Sequence, residues 1–502
     1  MSRIFSPRLN RALLLLTFLY LYLPNLLFLQ GWVRPWAAIP LALLWLLSLL
    51  WVYLRCRTEE EPVDGVVTMR SVLLPVLAAL AAALLWTELI GLNGHTLQHY
   101  DFVARNPIYR SLCREAWPLY SQRGDYFIYY HAFWLPAAAW SKWVSCADAL
   151  LFAWCALGFW LMLMLFHARF GWRCYLFVLF FFLLGWPLEL CKLEKVSLVE
   201  FLGSDYADLE AVKQACLAYL PMSFNVRFIP FYLQCICTFH HAIPLLLVLS
   251  LMVTQRLSLS GLVAVSSLIV SCSPLGAASL AVVLVVLLFH QRGSLLRCLR
   301  TPAIWLALPP LAVVGLYFTG SSVGEVHCFL QGEVSGWGMR GLFLLLRVRL
   351  LAYALLVLGM MIPFLVVLRR EALRSPYLHA CCLLVLLLPL LWVGFRNNEW
   401  LFKGSCTLFF LGAWLLCRYL DTRGMVRKGM LALLLLANEP LCAGSLRGKL
   451  ATYTWNPSKI RQNFVDPCGG DINRMNQCYL QFFGKNPCPV LFYDRPGESR
   501  QL

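Results

Sequence analysis

Between an apolar stretch ending near residue 90 and another beginning near residue 147 the chain reads GLNGHTLQHYDFVARNPIYRSLCREAWPLYSQRGDYFIYYHAFWLPAAAWSKW from Gly91. Asp101 stands about ten residues past the first stretch, flanked by His95, His99, Tyr100, Arg105 and Asn106. A carboxylate in that setting can take the proton of an attacking hydroxyl, or hold a divalent cation such as Mg or Mn, whose preferred ligands are oxygens. Arg105 and Arg110 can neutralise a phosphate. Glu115 and Asp125 are weaker rivals for the acid/base role. Further on, YFIYYHAFWLPAA at 126–138 spaces Tyr126, Tyr129, Tyr130, Phe133 and Trp134 as one face of an interfacial helix. The plainer reading is an aromatic belt that anchors the loop.

Two other groups can bind anions. His240 and His241 lie in FYLQCICTFHHAIPLLL at a membrane boundary, preceded by Asn225 and Arg227. Such a pair is commonly a packing feature, but an ionisable side chain at the edge of an apolar helix also marks binding sites, so His241 is a candidate for a donor phosphate or a metal. RNNEWLFKGS puts Arg396, Asn397, Asn398, Glu399 and Lys403 into one short connection. It reads equally as a phosphate-binding turn and as a solvated turn with a Glu399–Lys403 pair at helical spacing. The acidic run from Glu189 to Glu210 reads as a solvated face. No P-loop, dinucleotide fingerprint, HExxH or GxSxG is present.

The elements that must position these residues are membrane helices. Of 502 residues, 60% are hydrophobic and only 13% charged, with 19 Trp, 20 Tyr and 32 Phe. A soluble globular chain has about 25% charged residues, so an all-α polytopic membrane protein is expected. A crossing helix needs about 20 mostly apolar residues because its backbone must satisfy itself. About 11–13 transmembrane helices follow, near 10–30, 35–54, 71–90, 147–167, 174–191, 233–254, 259–273, 275–290, 302–318, 350–368, 379–395, 405–418 and 429–443. The pair around Ser273-Pro274 reads as a broken hairpin. The first stretch is long and lacks a small-residue cleavage site, so it reads as a helix and not a signal peptide.

The net charge of +17 would suggest a polyanionic partner in a soluble protein. Placed along the chain it records orientation instead. With the N-terminus cytoplasmic, each inner turn is basic, from Arg3, Arg8 and Arg11 to Arg423, Arg427 and Lys428, and these turns sum to +13. A transmembrane domain over 1–443 then carries extracytoplasmic loops at 91–143, 192–232 and 319–341, followed by an extracytoplasmic tail at 444–502. Arg347 and Arg349 read as snorkelling cations. Most cysteines lie in apolar helices as small hydrophobes, whereas Cys442, Cys468, Cys478 and Cys488 are candidates for disulfide pairing.

The first outer loop resembles bacterial membrane proteins related to the GT-C glycosyltransferases. The resemblance rests on Asp101-Phe102, Arg105-Asn106, Trp117-Pro118, Tyr129-Tyr130, Leu135-Pro136-Ala137 and Lys142, with weaker likeness at His240-His241-Ala242 before Pro244, at Asn397-Asn398-Glu399 and at Lys403-Gly404-Ser405. It departs at Arg105, where the pattern has a His. The resemblance implies a GT-C-like fold in the bacterial inner membrane, with sugar transfer from a polyprenyl-phosphate-linked donor to a glycan or other envelope acceptor. It makes Asp101 the catalytic or metal-associated acid. Arg105, His241, Arg396 and Lys403 would steady the phosphate, and Asn106, Asn397, Trp117, Tyr129 and Tyr130 would line the cleft. Membrane lipids are the expected surroundings, and no nucleic acid is expected. The rival readings are a transporter or flippase for lipid-linked glycans and a non-catalytic scaffold. Transporters place ionisable groups near the midplane in two related halves, and neither pattern is present here.

Overall fold

The computed structural model describes residues 5–56, 69–99, 101–121, 124–184, 231–255, 257–291, 294–321, 326–328, 357–359, 361–393, 399–436, 439–465, 472 and 483–493. Arg396, Asn397, Arg347, Arg349, Cys468, Cys478, most of the loops 192–232 and 319–341 and the acidic run 189–210 lie outside these residues. The described chain is mostly helical. Its strands are two short pairs, β1 (Tyr126–Phe127) with β4 (Phe483–Gly484), and β2 (Val326–Cys328) with β3 (Leu391–Val393).

Six helical stretches among the described residues are long and apolar enough to cross a bilayer: Pro7–Trp32, Pro35–Arg55, Val72–Ile90, Ala147–Phe181, Pro302–Thr319 and Glu399–Tyr419. The protein is a helical membrane protein. Helix α2 (Pro35–Arg55) shows why: Ala38, Leu41, Ala42, Trp45, Leu49 and Val52 form its buried face, while Ile39, Leu43, Leu46, Leu50 and Leu54 are exposed. A continuous exposed apolar face of this kind suits acyl chains and not water.

The expected spans differ from the observed helices in three places. Helices Phe239–Thr254, Leu259–Ile269, Pro274–His290 and Pro376–Pro389 are shorter than a full crossing. The last turn of the expected 379–395 helix is the strand β3, because Pro389 interrupts the helical hydrogen bonding just before it. Around the helix expected over 429–443, helical residues run over Met425–Leu436 and Glu439–Ala451, so they begin earlier and end later than expected, with 437–438 outside the described residues.

Two compact units are distinguished, one made of 1–175, 234–323 and 445–502, the other of 176–233 and 324–444. In the first, α1 (Pro7–Trp32) packs on α2 and on α6 (Ala147–Phe170), α3 (Met69–Ile90) packs on α6, and Pro302–Thr319 packs on α2. Helix α1 starts at Ser6, whose Oγ accepts the Leu9 amide, with Pro7 at the first position. Buried polar groups then tie helices together. Asn25 Nδ2 donates to the carbonyls of Leu21 and Leu268, at 2.9 and 2.8 Å, and Asn25 Oδ1 accepts from Ser271 Oγ at 2.7 Å. The bond to Leu268 O satisfies one backbone carbonyl where the hairpin 259–290 breaks between Ser267 and Ser273, and the bond from Ser271 ties the break to α1.

Gly158 of α6 packs closely against Ile243 and Tyr20. A Cβ there would lie 2.4 Å from Ile243 Cγ2 and 2.5 Å from the Tyr20 hydroxyl. Gly158→Ala is therefore expected to lower the melting temperature of the detergent-solubilised protein, with a loss of about 1–3 kcal/mol. Gly315→Ala, where nothing lies within 4 Å, is the control and should cost nothing. Equal melting temperatures for the two variants would contradict this packing.

In the second unit, Pro376–Leu390 packs on Glu399–Tyr419, and β2 and β3 run antiparallel with Val326 opposite Val393. The helix expected at 405–418 begins six residues earlier, at Glu399, whose charge favours a helix N-terminus. At its other end Asp421 is held by Arg423 and Arg427, and the hydrogen bonds from Arg423 push its carboxyl down to about 2.

The segments of the first unit that the charge bias assigns outside meet one another. Arg34 N donates to Leu491 O, Tyr493 N to Trp32 O and Lys485 N to Gly320 O, and β1 pairs with β4. The tail is thus woven into the ends of α1 and α2 and into the loop 91–143.

Candidate functional site

The loop 91–101 is shaped from both sides. Gly91 and Gly94 take positive φ, 89° and 76°, which lets the chain turn off the end of α3. His95 Nδ1 lies 2.7 Å from Glu88 Oε1, and Gln98 Nε2 donates to Gly91 O. From the tail, Thr454 N donates to His95 O, Leu97 N donates to Thr452 Oγ1, and Gln98 N donates to Asn463 O. Asn106 is part of this weave, donating to Gln98 Oε1 and Val465 O, both at 2.7 Å. Its role here is to hold loop and tail together.

Helix α4 (Phe102–Arg114) follows Asp101, and one turn on, Arg105 Nη2 donates to Asp101 Oδ2 at 2.8 Å. Asp101 and His99 are about two-fifths exposed, whereas Arg105 is nine-tenths buried, and among the described residues its Nη1 has no hydrogen-bond partner. A buried, unsatisfied guanidinium N–H is costly. His99 Nδ1 accepts the Asp101 amide at 3.3 Å. Burial pushes the His99 imidazole below its usual pKa, against the upward pull of Asp101.

Two further residues complete this cluster, and the sequence marked neither. Cys237 ends the helix Phe231–Cys237 with its thiol beside His99 and Asp101, the three ligand atoms lying within 4.8 Å of one another. Lys449, from the tail helix Glu439–Ala451, is buried and donates to Leu97 O. It acts electrostatically on Cys237 and His99, and burial pushes its ammonium down to about 8. Among the described residues it has no carboxylate partner. The cluster holds two cations, Arg105 and Lys449, against one carboxylate.

The aromatic segment is not the helix that the spacing predicts. Tyr126 and Phe127 form β1, and helix begins only at the 3₁₀ turn Ala132–Trp134 leading into α5 (Leu135–Ser141). Long-range bonds override the local pattern: Tyr317 Oη accepts the Tyr129 amide at 3.0 Å and donates to Phe127 O at 2.9 Å. Tyr129 and Tyr130 rings lie 3.8 Å apart, Tyr130 lies 4.2 Å from His241, and His240 lies 4.5 Å from Trp134. His240 and His241 are wholly buried in this stack. It adjoins the charged cluster through Phe102 and Phe239, whose rings are 5.9 Å apart.

His131, which the pattern reading passed over, is buried beside Trp32 with ring centroids 4.2 Å apart. Its Nδ1–H donates to Tyr129 O, and burial pushes its pKa down to about 3, so the ring is neutral, and among the described residues its Nε2 lone pair has no partner. Trp117 serves the loop's attachment. It follows α4, precedes a cis proline and packs on Trp32 and against Gly31, while Lys142 Nζ sits 4.0 Å from its ring. Arg110 is paired with Asp148 at 2.7 Å. Lys403 belongs to the second unit, where it is buried and paired with Glu399 at 2.9 Å.

Asp101, His99, Arg105, Cys237 and Lys449 thus form one charged cluster, with Tyr129, Tyr130, His240 and His241 as an adjoining aromatic stack. The cluster can accept a proton, hold an oxyanion or ligate a metal. Of the metals expected from the sequence, Mg and Mn want about six oxygens, and a single carboxylate beside an imidazole and a thiol does not suit them. Comparison with protein-family models, curated proteins and solved structures finds no match to this chain.

Proposed function

We propose that the protein is a GT-C-type glycosyltransferase of the bacterial inner membrane, moving a sugar from a polyprenyl-phosphate-linked donor to an envelope acceptor at the outer leaflet. The single observation that carries the reading is the surplus cation at Asp101: Arg105, whose buried Nη1 has no partner among the described residues, and Lys449, without a described counter-ion, flank one half-exposed carboxylate. That arrangement wants one more anion, and a phosphate presented from the lipid supplies it.

The chemistry follows. The acceptor hydroxyl gives its proton to Asp101 as its oxygen bonds to the sugar's anomeric carbon. The bond from that carbon to the phosphate oxygen breaks, and its electron pair leaves with the polyprenyl phosphate, which gains one negative charge. Arg105 and Lys449 stabilise that charge where it develops. Tyr129 and Tyr130 offer aromatic faces for the sugar or the prenyl chain.

The test uses purified full-length protein in liposomes carrying a polyprenyl-phosphate sugar. Release of polyprenyl phosphate with sugar on an acceptor or on water is the expected result. Movement of intact donor across the bilayer without cleavage would replace the reading with a flippase, and neither cleavage nor movement would leave a scaffold.

A further inference from the structure

We propose that His99, Asp101 and Cys237 bind one thiophilic divalent cation of the zinc class. The three ligands come from two pieces of chain: His99 and Asp101 from the approach to α4, and Cys237 from the end of the helix before the His pair. Their nitrogen, oxygen and sulfur atoms nevertheless lie within 4.8 Å of one another. Imidazole, carboxylate and thiolate are zinc's own ligand types, and a small contraction brings them to ligand distances of about 2.0–2.3 Å.

Each ligand can present an electron pair once the ion replaces its present contact. The lone pair of His99 Nδ1 accepts the Asp101 amide at 3.3 Å, a long hydrogen bond that coordination would displace. Arg105 occupies Asp101 Oδ2, and among the described residues the other carboxylate oxygen has no partner. Cys237 is buried, and its thiol would release its proton to solvent on coordination.

The neighbouring cations do not oppose the ion as strongly as their number suggests. One thiolate and one carboxylate balance a divalent charge, so the metal with its ligands is neutral. Arg105 and Lys449 remain available to an outside anion. Three protein ligands leave a fourth position, and the exposure of His99 and Asp101 opens that position to the outer face. This is the pattern of a zinc that exchanges ligands, not of a closed structural site.

The ion shares Asp101 with the transfer reading, but its binding does not depend on transfer, and the experiment reads metal and not sugar. Full-length protein in detergent, produced with added zinc, should carry about one zinc per chain after dialysis. The apoprotein titrated with Co²⁺ should develop a thiolate-to-cobalt charge-transfer band. Cys237→Ser should abolish that band while Cys235→Ser retains it. His99→Ala, a change on a partly exposed loop that leaves the helices intact, should weaken Co²⁺ binding about tenfold or more. A wild-type protein without the band, a band that survives in Cys237→Ser, or unchanged Co²⁺ affinity in His99→Ala would each overturn the site. Loss of glycosyl transfer with the band intact would overturn the transferase reading alone.

Discussion

Lys449→Met is expected to raise the melting temperature of the purified protein and, in the same preparation, to weaken binding of polyprenyl phosphate at least about tenfold. Both effects have one cause. Burial takes the Lys449 ammonium from 10.5 down to about 8, a disfavour of about 3 kcal/mol for the charged form. Methionine keeps the length of the side chain without the charge. It also gives up the ammonium's bond to Leu97 O, of a class worth about 1.5–3 kcal/mol, but Leu97 is 44% exposed, so water replaces the donor and recovers part of that loss. The balance favours the variant.

The pH dependence has a definite sign. Folding disfavours the proton on Lys449, so wild type bears the full penalty below pH 8 and sheds it as pH rises from about 8 towards 10.5. Thermal melts at pH 7.5 and 9.5 should show the two proteins converging at the higher pH. If Lys449 served only to tie the tail to the loop, the variant would melt lower and bind polyprenyl phosphate as wild type does. That outcome would remove Lys449 from the site.

Local patterns reached part of this structure and long-range contacts built the rest. The helices Pro7–Trp32, Pro35–Arg55 and Met69–Ile90 lie within a few residues of the apolar stretches, because a span must be about 20 apolar residues wherever it occurs. Asp101 and Arg105 are four residues apart and meet across one helical turn, so their pairing is local, as is that of Glu399 with Lys403. The aromatic segment misleads because the helical spacing of its rings is overruled by Tyr317 and by the strand at Phe483–Gly484, both far along the chain. Cys237 and Lys449 carry no motif. They become members of the cluster only because one helix ends, and another crosses, beside the same loop. A thiol in an apolar helix and a lysine in a polar tail look ordinary until the fold brings them to a carboxylate.

Asp101→Asn is expected to leave insertion unchanged, to lower the melting temperature because buried Arg105 loses its counter-charge, to leave polyprenyl phosphate binding intact or tighter, and to lower the turnover of sugar transfer about a hundredfold or more. The substitution is nearly isosteric. The amide oxygen still accepts from Arg105 Nη2, and Asn is as well suited as Asp to precede a helix. What it removes is the negative charge and with it the capacity to take the acceptor's proton. Removing that charge enlarges the cation surplus of Arg105 and Lys449, so a phosphate should be held at least as firmly. The kinetic signature is a fall in kcat with KM for the donor unchanged or lower, whereas Lys449→Met weakens binding of the phosphate. Because Asp101 is also one of three proposed metal ligands, the assay is run with zinc content measured in the same samples and again in added zinc. A defect that added zinc repairs assigns Asp101 to the metal. A defect that persists with zinc bound assigns it to the proton, since an amide can still ligate weakly through oxygen but cannot serve as a base at neutral pH. Turnover within about twofold of wild type would strip Asp101 of both roles in the reaction, and the carboxylate would then be only the helix-terminal partner that Arg105 needs in order to be buried.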